Sequence, residues 1–168
     1  MPSRSRKITG AAALTAAGLM IGYIESFIVL PVHVPGVRIG LANITTIIAL
    51  YLGGPVYAAV VAAARVVLSS VLFGSPVSFI YSICGAFLAL VGMCVLKRLD
   101  FSVYGTSVFG AVLHNMAQIL VAMVMIGSTY MLMYIPVLVL AGTGAGLIVG
   151  YLSNILISRI KTVTHSEM

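Results

Sequence analysis

Between residues 8 and 157 the chain is almost uninterrupted apolar sequence, cut by short turns into six long runs, with charged side chains amounting to 7% of the whole. No other feature narrows the possible folds so far. On a 19-residue window the runs fall at roughly 8–30, 38–53, 55–73, 77–96, 104–126 and 131–157. Each is about the length needed to cross a bilayer as a helix, roughly 20 residues. The 168 residues thus hold six spans in a single membrane domain, 1–168, with no room for a separate soluble one. The runs are continuously apolar rather than alternating at period two, which excludes a β-barrel. Turn residues punctuate them: Gly53, Gly54 and Pro55; Gly74, Ser75 and Pro76; Gly127 and Ser128. Pro31 and the stretch Val34, Pro35, Gly36 close the first run. A soluble domain carries about 25% charged residues, so a cytosolic enzyme, a secreted disulfide scaffold and a nucleic-acid-binding module are all excluded.

The few charges orient the bundle. With the N-terminus cytoplasmic, six spans return the C-terminus to the same side. Arg4, Arg6, Lys7, Lys97, Arg98, Arg159 and Lys161, seven of the nine basic residues, then lie inside, as the positive-inside rule requires. Membrane topology therefore accounts for the pI of 9.6 without any nucleic-acid partner. A cleaved signal peptide fits residues 1–30 poorly, because the apolar stretch outlasts a 7–15-residue h-region. Cys84 and Cys94, ten apart in one apolar run, are too distant along a straight helix to bridge.

Against this background the polar residues within the spans stand out. An ionised group at the bilayer centre costs about 2.5–3.5 kcal/mol on insertion scales and is by default a functional candidate. Glu25 lies in the first span and Arg65 in the third. Asn43 lies near the start of the second, and His114, Asn115 and Gln118 cluster in the fifth. At 1.5 Å per residue, Glu25 is about 25 Å from the inner end of its span, Arg65 and His114 about 15 Å, and Gln118 about 21 Å, while Asn43 is about 8 Å below the outer end. All six occupy the middle or outer half of the bilayer, which implies a polar cavity open to the outside and sealed below, suited to a small molecule with a polar or anionic head. Competing readings are structural: a Glu25–Arg65 ion pair, a satisfied core histidine, amide glue between helices, and Asn43 as a cap. His33 reads as a loop residue, Arg38 as an interfacial anchor or a gate for an anion.

Small residues line two other faces. Ala13 and Ala17 form an AxxxA pair on the inner half of span one, with Ala12 and Ala16 beside them, a flat face on which another membrane protein could dock. Gly142, Gly146 and Gly150 recur at i+4 in span six and read as internal packing.

Much chemistry is missing. No P-loop motif is present, so the chain cannot drive pumping with ATP as a P-loop protein does. The single aspartate, Asp100, cannot supply the carboxylate set that metal-assisted diphosphate chemistry needs. His114 lacks companions for a zinc site, and no serine sits in a nucleophile elbow. The expectation is a non-enzyme with no cofactor and no metal.

The stretch Glu25, Pro31, then Pro35, Gly36, Val37, Arg38, Ile39, Gly40, Leu41, Ala42, Asn43 resembles the "E…P…PGxKLGLAN" signature of a bacterial membrane family, with Arg38 where lysine is usual. Arg65 and the Gly110–Gln118 stretch are similar to its later motifs. The family is labelled heptaprenyl diphosphate synthase component I and also Gx transporter, and the resemblance spans roughly residues 7–160. The transporter grouping includes the S components of energy-coupling factor transporters, six-helix substrate-binding subunits of the cytoplasmic membrane that take up vitamin-type micronutrients from outside. In them an AxxxA face on the first helix, matched here by Ala13 and Ala17, docks a membrane coupling subunit driven by two ATPases. The resemblance thus implies a substrate-binding subunit using Glu25, Asn43, Arg65, His114, Asn115 and Gln118. The other label implies a non-catalytic accessory in prenyl diphosphate or isoprenoid-quinone metabolism, since the aspartate-rich motifs of a prenyltransferase are lacking. A facilitator that works without partner or ATP is a third possibility.

Overall fold

The computed structural model describes residues 4–25, 27 and 40–166. Among them the chain is entirely helical: α1 (Arg4–Glu25), α2 (Asn43–Gly53), α3 (Pro55–Phe73), α4 (Pro76–Arg98), α5 (Val103–Ile126), a single 3₁₀ segment (Thr129–Tyr134) and α6 (Ile135–Ser166). The punctuation read from the sequence sets most boundaries. Pro55 and Pro76 stand in the first turn of α3 and α4, where a missing N–H costs nothing. Ser75 and Ser102 cap α4 and α5 by accepting from the N–H groups of Ser78 at 3.1 Å and Gly105 at 3.2 Å. Gly127, at φ +68°, ends α5 with its N–H on the Met123 carbonyl.

Five of the helices are long and apolar enough to cross a membrane. The expected second span is the exception. Its apolar run covers 38–53, yet α2 has only 11 residues, about 16 Å of rise against a hydrocarbon core of about 30 Å. The cause is local: Gly40 has φ +87°, a conformation that interrupts a helix and that glycine alone adopts freely. Tight turns from Asn43 N–H to the Gly40 carbonyl (2.9 Å) and Ile44 N–H to the Leu41 carbonyl (3.1 Å) then start the helix. Other ends also move: α4 runs on to include Lys97 and Arg98, and α6 continues to Ser166. His33, Pro35, Gly36 and Arg38 lie outside the described residues.

The short helix is the centre of the molecule. Every residue from Ala42 to Leu50 is buried, including the polar Asn43, Thr45 and Thr46, and α2 packs against all five long helices, as expected of a largely apolar helix without a charged face. Around it α1, α3, α4, α5 and α6 follow one another in that order. Ile47, Ile48 and Leu50 meet Val61, Ala89, Met93 and Val149 in the core. The outward faces carry large apolar side chains such as Val71, Phe87, Val124 and Leu140, a surface suited to lipid. A Cβ added to Gly146 would lie 2.6 Å from the Val108 Cα, and one on Gly142 3.3 Å from the Ala111 carbonyl oxygen, so the glycine stripe of α6 is where α5 seats.

The same close approaches fix the relative ends. Gly10 of α1 sits beside Tyr57 at the start of α3, and Gly150 of α6 beside Tyr104 near the start of α5. Lys97, at the end of α4, donates Nζ to the Leu50 carbonyl at the end of α2 at 2.6 Å. The start of α1, the second half of α6 and the basic residues Arg6, Lys7, Lys97, Arg98, Arg159 and Lys161 therefore lie at one end of the bundle.

Candidate functional site

Because α2 spans only half the bundle and its far end is fixed near Lys97, its N-terminus is buried at mid-depth. The first turns of a helix present N–H groups with no intrahelical acceptor and the positive end of the helix dipole. The last residue of α1 supplies the counter-charge: Glu25 accepts from the N–H of Gly40 on Oε1 at 2.6 Å and from that of Ala42 on Oε2 at 3.3 Å. Glu25 is only 4% exposed, and these bonds are what make a buried carboxylate tolerable. α1 turns this residue inward on a stripe of Thr15, Gly18, Gly22 and Glu25, all buried.

Arg65 approaches the same terminus from α3. Its Nη2 donates to Asn43 Oδ1 at 3.1 Å. Asn43 is the first residue of α2, and its side chain is spent on Arg65 and not on capping the helix. Two glycines make the space. A Cβ on Gly18 would be 2.7 Å from both Arg65 Cδ and Thr45 Oγ1, and one on Gly85 of α4 would be 2.7 Å from His114 Cε1. α1 and α4 can thus approach the arginine and the imidazole closely only because those positions lack a side chain.

Glu25, Asn43, Arg65 and His114, from four different helices, line one cavity together with Gly22, Gly40, Ser69 and Ser82. Its volume is about 20 Å³, room for about one water molecule and well below the ~300 Å³ of a pocket that encloses a drug-sized ligand.

The other two polar residues of α5 are equally buried but are not among those lining the cavity. Asn115 faces α6, donating Nδ2 to the Leu138 carbonyl at 2.9 Å. Gln118, fully buried, lies one turn beyond His114 on the same face. Ala13 and Ala17 are exposed on α1, with Ala12, Ala16 and Met20. Sequence reasoning passes over Ser69 and Ser82, common residues without a distinguishing pattern. It gives Gly40 only as one letter of a family signature and passes over Gly85; their importance is a matter of φ and of what packs beside them. Lys97 reads from the sequence as a loop charge, whereas it closes the C-terminus of α2 and lies 5.1 Å from the Tyr51 ring centroid.

Compared with known proteins, the chain matches the family model described as "Heptaprenyl diphosphate synthase component I" over residues 14–156. That stretch contains all six polar residues and Ala17, and begins one residue after Ala13. No curated protein and no solved structure gives a match.

Proposed function

The chain belongs to the heptaprenyl diphosphate synthase component I family, and from that premise we propose that it is a membrane-embedded substrate-binding subunit of S-component type. The observation that carries this reading is the convergence of Glu25, Asn43, Arg65 and His114 on one cavity around the buried N-terminus of α2. Half-helices ending at mid-membrane are how many transporters present charge to a solute. The basic end of the bundle is cytoplasmic on this reading, by the positive-inside rule, and the cavity takes a small, vitamin-type compound from the outer side of a bacterial cytoplasmic membrane.

A ligand of that size needs more space than the cavity offers. α1 is the element to move, because among the described residues it packs against α2 and α3 alone and contributes Gly22 and Glu25 to the cavity wall. The exposed Ala13 and Ala17 on the opposite face of α1 are the docking point for a membrane coupling subunit, whose ATPases supply the energy. The subunit itself carries out no catalysis.

Membranes carrying the wild-type chain, purified gently and analysed by native mass spectrometry, should release a retained small molecule. Arg65→Ala and His114→Ala should each weaken its binding at least about tenfold, the loss expected from one buried charge-assisted hydrogen bond. Unchanged affinity in both variants would remove the site. The family description favours a second reading, a non-catalytic accessory to a prenyl diphosphate synthase. Co-purification separates the two: a coupling subunit with ATPases supports transport, a prenyltransferase supports the accessory role.

A further inference from the structure

We propose that the group this cavity recognises is a carboxylate-type oxyanion, which binds on the N-terminus of α2 in place of the Glu25 carboxylate. The inference rests on the substrate-binding reading and adds to it the chemistry of the ligand.

The α2 terminus already holds a carboxylate. Glu25 spreads its two oxygens over the N–H groups of Gly40 and Ala42, as a ligand's oxyanion does at a helix N-terminus. A second observation concerns a side chain and not the main chain of the terminus. Asn43 is 5% exposed, and its Oδ1 is committed to Arg65, a group that can only donate. The amide is therefore fixed with Oδ1 toward Arg65 and Nδ2 3.1 Å from where a Cβ on Gly40, another residue of the cavity wall, would stand. Nδ2 has no hydrogen-bond partner among the described residues. A buried donor so placed calls for an acceptor.

Taken together, the wall supplies the guanidinium of Arg65, the amide of Asn43 and two main-chain N–H groups, whereas its one carboxylate among the described residues is Glu25. Ser69 is turned away, donating to the Val66 carbonyl at 3.1 Å. The set fits an oxyanion with two oxygens, and Arg65 is the residue type best matched to one. Two ionised carboxylates cannot share the terminus, since like charges at such separation repel strongly in a buried site. Binding is therefore an exchange. Swapping one carboxylate for another keeps the buried charge balanced, and the volume that Glu25 vacates adds to a cavity otherwise sized for water. A neutral amide of the same shape gains nothing by displacing Glu25, because it would leave the helix terminus without a counter-charge.

The test uses the detergent-purified full chain with acetate as probe and acetamide as its neutral isostere, read by thermal unfolding and calorimetric titration. Acetate should raise the unfolding midpoint of the wild type and acetamide should not. Glu25→Gln, which keeps the shape and one acceptor, should bind acetate about tenfold more tightly, because the competing charge is gone. Weaker or unchanged acetate binding by a folded Glu25→Gln protein would overturn the exchange. Should Glu25→Gln fail to fold, the acetate-over-acetamide preference of the wild type decides alone. Equal protection by acetamide, lost in Arg65→Ala, would overturn the oxyanion while leaving a ligand site intact. No effect of either probe on either protein also overturns it, and the retained-ligand experiment then judges the binding reading separately.

Discussion

At the scale of single residues, the molecule gives its buried Glu25 and Arg65 and its half-buried Lys97 each a main-chain or amide partner. Glu25 sits on the N–H groups that open α2 and Lys97 on a carbonyl that ends it, so one short helix is complemented at both poles. Lys97→Met keeps the length of the side chain and removes the charge. It should lower stability by about 1 kcal/mol, seen as a reduced unfolding midpoint in detergent, and should leave ligand binding intact. Gly85 makes the opposite demand. A Cβ there meets the imidazole of His114, a buried ring with little freedom to retreat, so Gly85→Ala should cost about 1–3 kcal/mol and weaken ligand binding as His114 shifts. Unaltered binding by that variant would mean that the ring position is unimportant.

Elements are joined by two kinds of packing. Beyond its polar ends α2 is packed mainly by apolar side chains such as Val61, Ala89, Met93 and Val149, whereas α5 and α6 meet through glycine. Where lipid removes the hydrophobic drive between helices, close backbone approach is what holds such a pair. Gly146→Leu would force a side chain into the Val108 backbone and should destabilise the fold by about 3 kcal/mol. Gly144, two residues away on the same helix, has open space around it: a Cβ there would meet nothing within 4 Å. Gly144→Ala should therefore be neutral or slightly stabilising, since alanine is the better helix former. Equal effects at both positions, measured by unfolding in detergent, would count against a glycine-mediated interface.

For the whole molecule, the consequence of a half-length α2 is an interior with a polar focus at mid-depth, enclosed by five long helices. Its least anchored member among the described residues, α1, presents Glu25 to the cavity and Ala13 and Ala17 outward. Ala17→Trp should thus leave the unfolding midpoint and ligand binding unchanged while abolishing co-purification of a membrane partner, as judged by mass spectrometry of the extracted complex. Loss of folding would show that this face packs internally. Single cysteines placed near residues 5 and 162, in a background lacking Cys84 and Cys94, should both be labelled from the same side of the membrane.

Hydropathy and turn chemistry alone are enough to read the helical membrane class, three of the helices (α3, α4 and α5) to within two residues at each end, and the polar side chains worth following. These depend on local composition, and a long apolar run has no stable alternative to a helix in lipid. The length of α2 is beyond that reading, because it depends on a positive φ at Gly40, and an apolar stretch looks the same whether or not a turn interrupts it. Equally hidden is the sorting of the six polar residues, with Glu25, Asn43, Arg65 and His114 around one cavity and Asn115 turned to α6. Depth along a helix follows from counting residues, but which neighbour a side chain meets depends on how the helices pack around it, and that is decided by contacts between residues far apart in the chain.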